Sequence, residues 1–251
     1  MRNHPMPELE PLLKSLRLSG VSDSLAQRNK EAIDRKMSYT EFLATLLQDE
    51  IQRRDMKKFA QRFKKAKINV NKTIEQFDFG FNPNIDQQKV KDIATCRFIS
   101  EKVPAFIVGP CGTGKSHLAQ GIAHCAVRNG IDVLFYTQTQ LFKLLQAARA
   151  AGEYDKKFKQ LVNVPLLIID DFGLKPLRSP QDEDFHDLVA ERYEKASTMI
   201  TSNLEFSEWG DAFPNKLLGV ATIDRLGHGA YKVAFDGPSY RPFDGAKNEE
   251  K

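Results

Sequence analysis

Gly109-Pro110-Cys111-Gly112-Thr113-Gly114-Lys115-Ser116 fills every fixed position of the pattern G-x-x-x-x-G-K-[ST]. The pattern has a chemical reason. Glycines let backbone amides close around a β-phosphate, the lysine reaches the β- and γ-phosphates, and the serine hydroxyl can ligate Mg²⁺. At ordinary residue frequencies a chance match in a chain this long is expected about once in a hundred. Context removes most of that chance. Residues 104–108 read as a short apolar strand entering the motif, and a helix running to the Asn129-Gly130 stop leaves it.

Working outward, helix and strand alternate. A helix is predicted over 86–102, a strand over 131–136, a helix over 139–151 and a buried strand over 165–169 that ends in Asp170. Ser179-Pro180 opens another helix with proline at its first position and Asp182, Glu183 and Asp184 at its positive end. A strand at 198–201 and further helices follow. This order predicts an α/β domain with a mainly parallel sheet.

Three more stretches carry chemistry. Leu166-Leu167-Ile168-Ile169-Asp170-Asp171 has the form of a Walker B strand. Asp170 would hold Mg²⁺, and Asp171 would orient or deprotonate an attacking water. In Thr201-Ser202-Asn203, Asn203 is either a polar sensor near the γ-phosphate or a turn asparagine. In Asp224-Arg225-Leu226, Arg225 is either a cation offered to a neighbouring subunit's nucleotide or an ordinary surface arginine. Lys115 and Asp171 are the leading catalytic candidates, with Asn203 and Arg225 beside them. His117, next to the P-loop, is counted among the nucleotide-lining residues. Together with His124 and Cys125 it does not make a metal-ligand spacing.

The first 70 residues read as helices. Leu9, Leu12, Leu13 and Leu16 recur at helical spacing until Gly20 breaks the pattern. Ser38 and Glu41 form a capping box that starts a long helix with the apolar stripe Phe42, Leu43, Leu46, Leu47 and Ile51, continued by Phe59 and Phe63, failing near Lys67. Residues 1–76 hold sixteen Lys+Arg against ten Asp+Glu, the remainder twenty-one against twenty-three. The basic excess gathers in Arg53, Arg54, Lys57, Lys58, Arg62, Lys64, Lys65 and Lys67. It is either a phosphate-neutralising surface for DNA or a solvated helix face.

Composition closes off other classes. With 41% hydrophobic, 28% charged and 10% aromatic residues in 251, the chain is not of the disordered type. Its longest apolar run, residues 164–169, is far short of the roughly 20 needed to span a bilayer, and the start lacks the apolar core of a signal peptide. Cys96, Cys111 and Cys125 match neither a disulfide framework nor a zinc site, which favours a reducing cytoplasm.

Taken together, the P-loop, the paired aspartates, Thr201-Ser202-Asn203, Asp224-Arg225-Leu226 and Ser239-Tyr240-Arg241 resemble those of the IstB-like AAA+ ATPases, relatives of the DnaC helicase loaders. The leucine helix, residues 42–54 and the segment from Phe77-Asp78-Phe79 to Asn82-Pro83 extend the resemblance to nearly the whole chain. It implies an AAA+ core of parallel strands in the order 5-1-4-3-2, preceded by a small all-helical N-terminal domain and lacking a C-terminal lid, since ten residues follow Arg241. The implied division is a basic helical domain at 1–68, a connection at 69–85 bordering the nucleotide site, with Phe77 to Asp86 next to the adenine, the ATPase domain at 86–245 and a tail at 246–251. Arg225 is then the arginine finger and Arg241 a second sensor. The implied function is that of a helper of a transposase that binds ATP, Mg²⁺ and double-stranded DNA, forms homo-oligomers and hydrolyses ATP. The alternative is a replicative helicase loader. A small-molecule kinase and a DNA-binding protein with a decayed ATP site fit the complete motif set less well.

Overall fold

The computed structural model describes residues 9–82 and 84–240, which leaves Arg241 and the tail outside the described residues. The chain divides after Gln61 into two compact units, Met1–Gln61 and Arg62–Lys251. The first contains α1 (Leu9–Ser15), α2 (Ser19–Asp34) and most of α3 (Tyr39–Ala66), around a small core of Val21, Leu25 and Leu46. The expected capping box starts α3: Glu41 N–H donates to Ser38 Oγ at 3.3 Å, and Ser38 N–H donates to Glu41 Oε2 at 2.8 Å. Helix α3 ends at Ala66, and Lys67 turns the chain with φ of 56°.

Two expectations fail in this unit. Gly20 does not break a helix; it lies in the first turn of α2, pressed so close to α3 that an added Cβ would sit 2.7 Å from Glu50 Cα. The buried Glu50 carboxylate accepts the N–H groups of Gly20 at 2.5 Å and Val21 at 3.2 Å, so α3 supplies the cap that α2 lacks in its own sequence. The apolar stripe is also split. Leu46 is buried and Phe42 half-buried, whereas Leu43, Leu47 and Ile51 are exposed.

The second unit is built on five strands: β1 (Ala105–Val108), β2 (Val133–Thr137), β3 (Leu166–Phe172), β4 (Ser197–Ser202) and β5 (Tyr231–Ala234). They pair in parallel in the spatial order β2-β3-β4-β1-β5, the expected 5-1-4-3-2 order read from the other edge. Strand alternation divides the core in two. Ala105, Ile107, Leu166, Ile168 and Met199 face one layer, and Phe106, Val108, Leu167, Ile169 and Ile200 face the other. The first layer is covered by α4 (Gln87–Ala94), α5 (Arg97–Ser100) and α6 (Lys115–Arg128). The second is covered by α7 (Gln138–Ala150), α8 (Tyr154–Asn163), α9 (Gln181–Arg192), a 3₁₀ segment (Phe206–Ala212) and α10 (Lys216–Gly227).

Here too the boundaries move. The single helix expected over 86–102 is broken between α4 and α5, where Cys96 adopts φ of 63°. Helix α8 was not anticipated. Pro180 stands at the N-cap of α9, one place before the helix. Strand β3 runs three residues past Ile169, through both aspartates. Between α8 and β4 lies a fully buried arginine. Arg192, 1% exposed, donates to the carbonyls of Leu161 at 2.6 Å, Val162 at 3.0 Å and Val164 at 2.8 Å, to Ser197 O, and to Thr198 Oγ1 at 2.9 Å. Burial pushes its guanidinium down to about 9, which still leaves it charged at neutral pH.

Candidate functional site

Strand β1 leads into the P-loop at the carboxyl edge of the sheet, and α6 begins at Lys115 with its free amides turned toward the loop. Gly114 caps α6 with φ of 99°, a conformation that favours glycine. At Gly109, with φ of 139°, a side chain would collide with the carbonyl of Phe235. Lys115 is buried; its Nζ donates to Pro110 O at 2.6 Å, and the Thr113 hydroxyl donates to the same carbonyl at 2.8 Å.

Two strands over, β3 delivers the aspartates. A bulge between Ile169 and Phe172 puts Asp171 at φ of 58°, so the two carboxylates do not follow simple strand alternation. Thr201, fully buried on the adjacent β4, bridges them: its hydroxyl donates to Asp170 Oδ1 at 2.5 Å and accepts the Asp171 N–H at 3.0 Å. Burial raises the Asp170 carboxyl above its usual range, partly offset by hydrogen bonds from Thr201 and Ser116. Strand β4 lies between β1 and β3, so Asn203, just past its end, stands between the P-loop and the paired aspartates.

Lys115, Asp171 and Asn203 line one cleft of about 390 Å³ with Cys111, Gly112, Thr113, Gly114, Ser116 and His117 from the sequence candidates; Gly109, Pro110 and Asp170 are not part of its lining. Its far wall comes from the connection, through Phe77, Asp78, Phe81 and Asn82, and from Tyr240. The Phe81 and Tyr240 rings meet edge-on at 4.7 Å, Tyr240 N–H donates to Gly112 O at 2.9 Å, and the Asn82 side chain donates to Asp236 O. His117 and His124 are spoken for: they bond the carbonyls of Thr73 at 3.0 Å and Asn69 at 2.8 Å.

Arg225 is not in this cleft. It is on α10 at the opposite, amino edge of the sheet, beside a separate cavity lined by Lys102, Pro104, Tyr193 and His228, and it donates to Ala221 O at 2.9 Å. The basic helix is uneven. Arg53 pairs with Asp23, Arg54 with the buried Glu50 at 2.7 Å, Lys58 with Asp55 at 3.7 Å and Arg62 with Asp132 at 3.0 Å. Lys57, Lys64 and Lys65 are exposed and have no ion-pair partner among the described residues. Three cleft residues were not singled out from sequence, Lys72, Gln76 and Leu174. None belongs to a spaced motif, and the one signal for Lys72 and Gln76 was their place in the connection bordering the nucleotide. Among the described residues no helix is long and apolar enough to cross a membrane.

Comparison with known proteins agrees with this geometry. Residues 11–247 match the family described as IstB-like ATP binding protein. The chain is 35% identical over 236 residues to the insertion sequence IS21 ATP-binding protein of Pseudomonas aeruginosa, covering 94% of this chain and 89% of that one. It is 33% identical to the insertion sequence IS5376 ATP-binding protein of Geobacillus stearothermophilus, covering 94% of each. Among solved structures, the DnaC helicase loader superimposes with a TM-score of 0.55 at 21% identity over 66% of this chain and 98% of that one. The replication initiator DnaA bound to AMPPCP and single-stranded DNA gives 0.58 at 22% identity over 68% of this chain and 52% of that one. These likenesses identify an AAA+ fold, and the full-length sequence match places the chain more narrowly: it belongs to the family of IstB-like ATP-binding proteins.

Proposed function

We propose that the protein is a Mg²⁺-dependent ATPase acting as an ATP-controlled, DNA-binding helper of a transposase, assembling on double-stranded DNA as a homo-oligomer. The reading rests on one observation above others: Lys115, Ser116, Asp171 and Asn203, from three separate elements, converge on one cleft. The relatives named as insertion-sequence ATP-binding proteins supply the biological setting.

Within the cleft, the amides of the P-loop and the start of α6 hold the phosphates, and Lys115 moves from the Pro110 carbonyl onto the β- and γ-phosphate oxygens. Ser116 Oγ and the Asp170 carboxylate are adjacent hard oxygen donors, a set suited to Mg²⁺. An ion held there offsets charge on the β- and γ-phosphates. Asn203 and Asp171 orient a water in line with the γ-phosphorus. As the new P–O bond forms, Asp171 takes the water's proton and the bond to the β-phosphate oxygen breaks, releasing ADP and inorganic phosphate. Phe77, Phe81 and Tyr240 border the adenine. Arg225 completes the site of a neighbouring subunit, Arg241 serves as a further sensor, and Lys57, Lys58, Lys64 and Lys65, with Arg53 and Arg62, contact DNA phosphates. Residues 1–68, 69–85, 86–245 and 246–251 act as DNA- or partner-binding domain, connection, ATPase domain and tail.

Paired substitutions test the chemistry. Lys115→Ala should weaken nucleotide binding, whereas Asp171→Asn should bind normally and turn over roughly 10²-fold or more slowly. Labelled-nucleotide titration beside a phosphate-release assay checks both, and unchanged turnover in Asp171→Asn would remove its role. Stoichiometric capture of a replicative helicase in place of the transposase would redirect the biological reading to helicase loading.

A further inference from the structure

The P-loop provides one cation for the phosphates, Lys115. The folded cleft contains a second. Lys72 lines the same cleft as Lys115, Ser116, Asp171 and Asn203, although it lies on the connection, outside any motif. Among the described residues its ammonium has no carboxylate partner within ion-pair distance.

Its position is held by the helix that carries the P-loop. Gln120 Oε1 accepts the Asn69 N–H at 2.9 Å, His124 bonds the Asn69 carbonyl at 2.8 Å, and His117 bonds the Thr73 carbonyl at 3.0 Å. Gly121 lets Ile74 approach so closely that an added Cβ would sit 2.7 Å from Ile74 Cγ1. Four successive attachments to α6 thus bracket Lys72 on both sides, which fixes its backbone relative to Lys115 and Ser116. A lysine so placed gains a phosphate contact at a smaller entropic cost than one on a free loop.

The end of the cleft is also defined. His117, which bonds the carbonyl of Thr73 next to Lys72, directly follows Ser116 in the first turn of α6, so Lys72 lines the cleft on the side of the metal and γ-phosphate. Farther along the connection, Phe81 meets Tyr240 edge-on in the cleft lining, and Phe77 lies against Gly114 and His117.

We propose that Lys72 is a second phosphate-contacting cation supplied by the same chain, which engages the γ-phosphoryl group of a bound nucleoside triphosphate and so discriminates triphosphate from diphosphate. The assignment rests on the ATP reading of the cleft. A charge-assisted contact made to the γ-phosphate and not to the diphosphate should be worth about ten- to hundredfold in relative affinity.

The test compares the full chain with Lys72→Met, Lys72→Arg and Lys115→Ala, measuring affinities for ADP and for a slowly hydrolysed ATP analogue, ATPγS, with Mg²⁺ present, beside turnover of ATP. Lys72→Met should keep its ADP affinity within about twofold, lose about tenfold or more for ATPγS and turn over at least about tenfold more slowly, and Lys72→Arg should recover most of both losses. Retained ADP affinity also reports an intact fold. Equal losses for ADP and ATPγS, or no loss for either, would overturn the γ-phosphate assignment. If nucleotide binding in the unmodified chain depends on Lys115 while Lys72→Met behaves as the parent, this assignment fails alone. If binding shows no Lys115 dependence, the ATP reading fails and takes this assignment with it.

Discussion

At the scale of single residues, the paired aspartates depend on the hydroxyl of Thr201, to which the reading of Thr201-Ser202-Asn203 assigns no role. Thr201 satisfies Asp170 and Asp171 at once, as donor to the first and acceptor to the second, and the second bond holds Asp171 in its left-handed conformation. Thr201→Val keeps the shape but leaves a buried carboxylate oxygen and an amide without that partner. A bond to a charged group is worth about 1.5–3 kcal/mol, so the variant should need roughly tenfold more Mg²⁺ to reach half-maximal nucleotide affinity and should turn over more slowly, while Thr201→Ser stays near the parent. A Mg²⁺ titration of nucleotide binding decides it; equal curves for the three proteins would assign Thr201 to packing. The residues legible in advance were those whose chemistry imposes a sequence spacing. Gly109 to Ser116, Asp170 and Asp171 could be read because backbone amides and carboxylates must fall at set offsets along one strand and turn. Thr201 reaches the aspartates and Lys72 the cleft through tertiary neighbours, β4 beside β3 and the connection pinned on α6, and such contacts leave no fixed offset to read.

Among elements, the sequence showed those whose signals are local. The capping box at Ser38 and the stop at Asn129-Gly130 predicted the start of α3 and the end of α6, because each is a contact within a few residues. Gly20 misled for the converse reason: its glycine serves the approach of α3 and its amides are capped by Glu50, thirty residues away. The break at Cys96 lies inside a helical pattern with neither glycine nor proline to mark it, and α8, with Tyr154, Phe158 and Leu161 on one face, was short enough to pass as a loop. What holds α8 in place is also nonlocal. Arg192 closes the carbonyl-rich end of that helix from α9, the geometry in which a cation is favoured by the helix dipole. Arg192→Met should strand several buried carbonyls and cost about 3 kcal/mol or more, and Arg192→Lys should recover little because an ammonium cannot span the same fork. Urea unfolding midpoints measure the loss; a change below about 0.5 kcal/mol would mean that water replaces the guanidinium at no cost.

On the scale of the whole molecule, the proposed contacts with DNA and with a neighbouring subunit divide the remaining charges. Arg54 is engaged by the buried Glu50, so Arg54→Ala should weaken the fold more than DNA binding, whereas Lys57→Ala with Lys58→Ala should lower the log-log salt slope by about 0.9 for each DNA phosphate that is no longer neutralised. An unaltered slope in a folded double variant would mark the helix as a solvated face. Arg225 raises the larger question. Its place at the amino edge, across the sheet from the P-loop, keeps it out of its own cleft and leaves it available to a neighbour. Lys72 supplies a second cation within the chain, so charge alone does not require one from a neighbour. A cation in trans would make turnover depend on assembly by linkage and is worth roughly 10³ to 10⁵ in rate where measured. Arg225→Ala should bind ATP nearly normally, hydrolyse it poorly and lose ATP-dependent assembly. Mixing separates the cis and trans cations: a Lys115→Ala subunit, inactive in its own cleft but carrying Arg225, should restore turnover to Arg225→Ala subunits, whereas it should give no rescue to Lys72→Met, whose missing cation belongs to the cleft itself. Rescue of neither variant in preparations shown to co-assemble would remove Arg225 as the trans cation.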